Sequence, residues 1–235
     1  DQRGAIQGDA CADGGALLPE RLRILEQLGE TERSIDLRKR FATTAWGKGH
    51  DRLASEYELA QGQSQIACAR VADKRGDDAD WMPVRAFCLA LAKDFNGATL
   101  VGERLPPGPD GKTDPWLLAA ISAMDPAVKA RPEGRYANAF EAAVSIAAKL
   151  SVSVNGFAAT PGDVAAAIVQ HPGATLEQKR AALRPALDAG KIKPLDVLTT
   201  LIAKDETPAK PGAGRAAEPR TDFIAMALAA FANAE

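Results

Sequence analysis

The chain has 235 residues, 46% of them apolar and 26% charged, enough to bury a sizeable core in one large domain or two small ones. Only 5% are aromatic and Ala takes up the difference, a balance that favours closely packed helices over sheet. A net charge of -2 argues against nucleic acid as a main partner, and without a run of about 18 apolar residues no membrane insertion is expected.

The sequence starts at Asp1 with no charged-then-apolar leader, so a processed or excised chain is expected. Residues 1–16 are rich in Gly and Asp and read as an irregular arm. Cys11 follows Gly8-Asp9-Ala10, which lacks the apolar stretch of a lipoprotein signal, so no lipid anchor is expected there. Pro19 opens a helix to Leu28, with Leu22, Leu25 and Leu28 at helical spacing and Gly29 to end it. Thr31 caps the next helix, which is predicted to reach Trp46. Its cations Arg33, Arg38, Lys39 and Arg40 interleave with Glu30, Glu32 and Asp36, the pattern of a solvated face.

The next stretch, His50 to Leu105, reads as two consecutive helical hairpins. Helices are predicted from about Asp51 to Ala60, from Ser64 to Lys74 and from Trp81 to Lys93, the last with Asp80 as N-cap. Cys68 and Cys88 stand about seven residues either side of the polar turn. At about 1.5 Å per residue both lie roughly 10 Å from it, level in an antiparallel pair. Each shares an apolar stripe, Cys68 with Val71 and Cys88 with Val84, Phe87 and Leu91. A Cys68–Cys88 disulfide and an oxidising compartment are therefore expected, with Cys11 left over.

Two spacings suggest a repeat. The turn followed by a small residue recurs at Gly29/Ser34, Gly62/Ala67 and Asp94/Ala98, and the tryptophans fall at 46, 81 and 116. Lys93-Asp94-Phe95-Asn96-Gly97-Ala98 resembles the inter-helix turn of the tetratricopeptide-like repeats, and Gln61-Gly62 with Ala67 is similar without the aromatic. The resemblance covers about residues 19–124. The family's Trp, Leu-Gly and Tyr are not at their usual places, and no Pro closes these units. What it implies is a concave surface for proteins or peptides, and no chemistry.

Beyond the Pro/Gly loop 105–113, a short helix is predicted from Pro115 to Met124. Further helices follow at Tyr136–Leu150, Pro161–Gln170, Leu176–Ala189 and Pro194–Lys204. Thr160 with Asp163, and Thr175 with Gln178, have capping-box spacing, and Pro185 should kink or split its helix. Residues 207–220 have a linker's composition. After it, residues 221–235 are predicted to form an apolar helix whose Phe223, Ile224, Leu228 and Phe231 either dock on this chain's own core or serve as the candidate partner-binding face.

No reaction site is legible. His50 and His171 both sit at helix ends, no nucleophile elbow occurs, and the cysteines and histidines lack zinc spacing. Asp77, Asp78 and Asp80 lack the central Gly and the closing Glu of a calcium loop. No Glu-Ser pair marks a lytic centre, so no metal or cofactor is expected and the chain reads as non-catalytic. The sequence therefore predicts an all-α fold of antiparallel helical hairpins: an arm (1–16), a solenoid of tetratricopeptide-like hairpins (17–124), a C-terminal helical subdomain (125–206), a linker (207–220) and a terminal helix (221–235). The expected role is a scaffold for a protein partner in the bacterial periplasm or envelope, or secreted. The alternatives are an accessory domain of a cell-wall-acting enzyme and a peptide-capturing chaperone or adaptor.

Overall fold

The computed structural model describes residues 14–45, 47–74, 78–106, 114–153 and 155–193. Cys11, Trp46, the linker, the expected helices at 194–204 and 221–235, and with them Phe223, Ile224, Leu228 and Phe231, lie outside the described residues. Ten helices and no strand make up the described residues. They are α1 (Gly14–Gln27), α2 (Thr31–Arg40), α3 (His50–Ala60), α4 (Ser64–Ala72), α5 (Met82–Leu91), α6 (Phe95–Gly102), α7 (Pro115–Ser122), α8 (Ala139–Ala147), α9 (Gly162–Gln170) and α10 (Leu176–Asp188).

The helix ends show where side chains outweigh propensity. α1 starts at Gly14, ahead of Pro19, and takes in residues 14–16 of the expected arm. Pro19 is tolerated because it removes one backbone bond close to the helix start. α2 stops at Arg40, short of the predicted Trp46, and residues 41–44 continue as turns. α5 begins after Trp81, and no side chain caps it, so Asp80 does not fill that role. Pro185 does not split α10, which runs unbroken from Leu176 to Asp188. Thr175 and Gln178 do form the reciprocal capping box at its start.

Sequential helices pack as neighbours: α1 on α2, α3 on α4, α5 on α6 and α9 on α10. The chain then returns on itself. α8 packs against α3, α5, α7 and α9, and α9 also meets α3. Its composition explains why it can lie so deep. In AFEAAVSIA the small residues Ala139, Ala142, Ala143 and Ser145 let several neighbours approach, and Val144 and Ile146 fill the gaps. One buried cluster joins Tyr57 and Ala60 of α3 to Ile146 of α8, Ile168 of α9 and Leu183 of α10. A second joins Leu59, Val84, Phe87 and Trp116 to Val144 and Leu150. Both clusters draw residues from either side of position 125.

The ends of α1, α9 and α10 meet at one joint. A Cβ on Gly29 would stand 2.9 Å from the Gly162 nitrogen, and one on Gly162 would stand 2.1 Å from Ala189 Cβ. Only glycine permits that approach, and Gly29 also holds a φ of +65°.

Candidate functional site

The cysteines meet as the sequence reading expects. Cys68 on α4 and Cys88 on α5 form a disulfide with their Cα atoms 5.6 Å apart. Both side chains are half-buried beside the second core cluster. Around them, polar side chains lock α3, α4 and α5 together. Arg70 donates to both carboxylate oxygens of Glu58, at 2.8 and 2.7 Å, and to Ser55 Oγ at 2.7 Å. Lys74 pairs with Asp51 at 3.2 Å and lies 5.0 Å from the Trp81 ring centre, while Arg85 donates to the Lys74 carbonyl at 2.8 Å. This is bracing, and no reactive pair is present in it.

A groove lies beyond α7, where residues 131–138, which belong to no helix, run beside residues 150–153 and the Gly134 N–H donates to the Ser151 carbonyl at 2.9 Å. It encloses about 440 Å³ between Trp116, Glu133, Arg135, Tyr136, Glu141 and Ser153. Trp116 is set by Asp114, which caps α7 and accepts from the Trp116 backbone N–H at 2.9 Å. The indole N–H donates to the Glu133 carbonyl at 2.7 Å. Arg135 stacks over that indole, 4.9 Å from its centre, and pairs with Asp114 Oδ2 at 2.7 Å. Tyr136 stacks on Phe157 with ring centres 4.3 Å apart.

Burial governs the ionisation here. It pushes the Tyr136 hydroxyl up to about 12, opposed by the hydrogen bond from Gln178. It also raises the Glu141 carboxyl, although the Ala137 N–H and the Arg135 charge favour the carboxylate. An aromatic wall, one guanidinium, two carboxylates and two hydroxyls suit hydrogen bonding to a polar group. Neither histidine lines the groove. His50 Nδ1 lies 2.9 Å from the Gly47 carbonyl and its Nε2 lies 3.2 Å from Asp51, while His171 Nδ1 accepts from the Gly173 N–H at 2.9 Å. Among the described residues no group of three or more His, Cys, Asp or Glu is arranged to hold a metal.

A smaller recess of about 230 Å³ marks the joint between the N-terminal hairpin and α9–α10. Asp163 Oδ2 accepts from the Thr31 backbone N–H, capping α2 from across the fold. Lys191 pairs with Glu30 at 2.6 Å. Tyr57 lines the same recess, and burial, then the charges of Asp163, Glu32 and Glu30, hold its hydroxyl well above the usual range. Thr160, the residue expected to pair with Asp163 as a local cap, leaves its buried Oγ1 without a hydrogen bond, and Pro161 precedes α9 instead.

Two tryptophans of the suggested register can be compared. Trp81 immediately precedes α5 and Trp116 is the second residue of α7. Both are buried in the same cluster with a cation over the ring. No helix among the described residues is long and apolar enough to cross a membrane. No family model, curated protein or solved structure matches this chain.

Proposed function

We propose that the chain is a non-catalytic helical scaffold of the bacterial periplasm or envelope, built on tetratricopeptide-like hairpins, which engages a protein partner through the apolar face of residues 221–235. The observation that carries this reading is the Cys68–Cys88 disulfide, since such bonds persist in oxidising compartments. The paired packing of successive helices supports the scaffold role, as do charged side chains spent on bracing, Arg70–Glu58 and Arg135–Asp114 among them. The location of α8 favours the terminal helix over a concave face as the point of contact. α8 packs against α3, α5 and α7, so those helix faces are used within the chain.

Two measurements test it. Chain isolated without reductant and alkylated should carry the Cys68–Cys88 bond and at most one alkylated thiol, on Cys11; three alkylated thiols would overturn the compartment. Full chain bearing Phe223→Asp and Leu228→Asp should keep its melting temperature and lose the partners that wild-type chain captures from envelope fractions. Unchanged capture would overturn the role of that face.

A further inference from the structure

We infer that the outer face of the α1–α2 hairpin binds the surface of an anionic phospholipid bilayer. Leu18 and Leu22 of α1 pack with Leu37 of α2, yet Leu17, Ile24 and Leu28 are 67%, 44% and 63% exposed. Arg21 lies among them, and the spacing 17, 21, 24, 28 puts all four on one side of the helix. Beside that stripe the two helices enclose a groove of about 320 Å³, lined by Arg21, Leu25, Arg33, Asp36, Leu37 and Arg40. Arg33 reaches Glu30 at 3.6 Å, while Arg21 and Arg40 make no ion pair among the described residues. Asp36 offsets one of the three guanidinium charges, so the groove is cationic.

This face is turned from the rest of the fold. On α2, Ile35 packs against the first core cluster, and Glu32 lines the recess with Tyr57 and Asp163. Arg33, Asp36 and Arg40 recur three and four residues apart, on the side away from Ile35. At the opposite edge of the hairpin, Glu26 of α1 accepts from Arg38 at 2.6 Å and from Ser34 Oγ at 3.5 Å. Charges on the inner edge are thus paired within the chain, whereas Arg21 and Arg40 point their charge outward.

Charge complementarity and residue type select the occupant. A guanidinium fork matches phosphate oxygens, and each Arg at an anionic bilayer surface strengthens binding roughly fivefold. Aliphatic tips interleaved with cations in one stripe need an apolar phase beside the phosphates, and a bilayer interface supplies both. A protein partner fits less well, because Leu is under-represented among the side chains that dominate protein interfaces. α1 has 14 residues and is about 21 Å long, and it lies flat on the surface, since no helix among the described residues is long and apolar enough to cross. The inference goes beyond the scaffold reading and does not depend on residues 221–235.

The test is co-sedimentation of the full chain with vesicles of phosphatidylglycerol and phosphatidylcholine in equal parts, against phosphatidylcholine alone. Wild-type chain should bind only the anionic vesicles, and less so in high salt. Arg21→Glu with Arg40→Glu should lower the partition coefficient at least tenfold, and Leu17→Ser with Leu28→Ser should do the same. Lys129→Glu with Arg184→Glu gives the same net charge on other surfaces and should bind within threefold of wild type. With Cys11→Ser and the Cys68–Cys88 bond intact, a polarity-sensitive dye on Ile24→Cys should shift to the blue on vesicles, and one on Arg184→Cys should not. Binding that the hairpin substitutions and the dye at position 24 do not register would give the vesicles to another face. No vesicle binding, with millimolar inorganic phosphate shifting the Arg21 and Arg40 side-chain NMR signals, would leave a free-anion site. A vesicle-free dimer dissolved by Leu17→Ser with Leu28→Ser would give the face to a second copy. Each of these three results overturns the inference, as does wild-type chain that binds neither vesicle.

Discussion

Gln178 is fully buried, and both ends of its amide are committed. Its Oε1 accepts from the Thr175 N–H at 2.9 Å. Its Nε2 faces the Tyr136 hydroxyl at 3.2 Å and the Ser145 and Leu150 carbonyls, both at 3.1 Å. Gln178→Ala removes the side-chain half of the capping box, leaves the Thr175 N–H without its acceptor and takes one donor from each of two buried carbonyls, so a loss of about 2–3 kcal/mol is expected in urea unfolding. Tyr136→Phe should cost about 1 kcal/mol, because the carbonyls keep the amide. His171 gives a different signature. Burial, then the Lys179 charge, lowers its pKa below the ordinary 6.5. The unfolded chain thus binds more protons than the folded one just below that value, and stability rises with pH through this window. His171→Asn keeps an acceptor for the Gly173 N–H without titrating. The difference in unfolding free energy between variant and parent should therefore shift toward the variant as pH falls from 7.5 to 5.5. A constant difference would show that His171 does not contribute.

The disulfide cross-links α4 to α5, which are consecutive helices, at a sequence separation of 20. Closing a loop of that size contributes roughly 3 kcal/mol on chain-entropy grounds. In a chain of this length, Cys68→Ala with Cys88→Ala should therefore lower the melting temperature by about 6–12 °C in calorimetry. This contact was legible in the sequence because it is local: two apolar stripes, one turn between them, and cysteines level on either side. The Thr175–Gln178 cap was legible for the same reason. Contacts that cross the fold were not. The amide of Gln178 reaches Tyr136, 42 positions away, and Asp163 caps Thr31 from a distance of 132 positions. Spacing shows that an acidic residue at the start of α9 has a cap to make, and says nothing about whose. Likewise the apolar pattern of α8 declares it buried, while its partner α3 lies some 80 positions earlier. The groove at Trp116 was hidden too, since Arg135 and Glu133 sit in a stretch without periodicity.

α3 and α8 tie the helices from α3 to α10 into one body, because each contributes to both large clusters. The N-terminal hairpin stands apart from that body. Its own cluster is small, Leu18, Leu22 and Leu37 with Leu25 beside it, and it meets the body through Ile35 and the joint at Gly29. Such a unit can open while the rest stays folded. Asp163 is the side chain that holds the start of α2 against α9, so removing it should free the hairpin selectively. Asp163→Ala is expected to cost about 1–2 kcal/mol, the value of a helix cap. The loss should appear as roughly tenfold faster amide exchange in α1 and α2, with the α8 amides unchanged, because sub-global opening leaves both main clusters intact. Asp163→Asn retains an acceptor oxygen and should recover most of the protection. If α8 accelerates in step with α1 and α2, the hairpin unfolds only with the whole body. The joint would then be part of a single cooperative core.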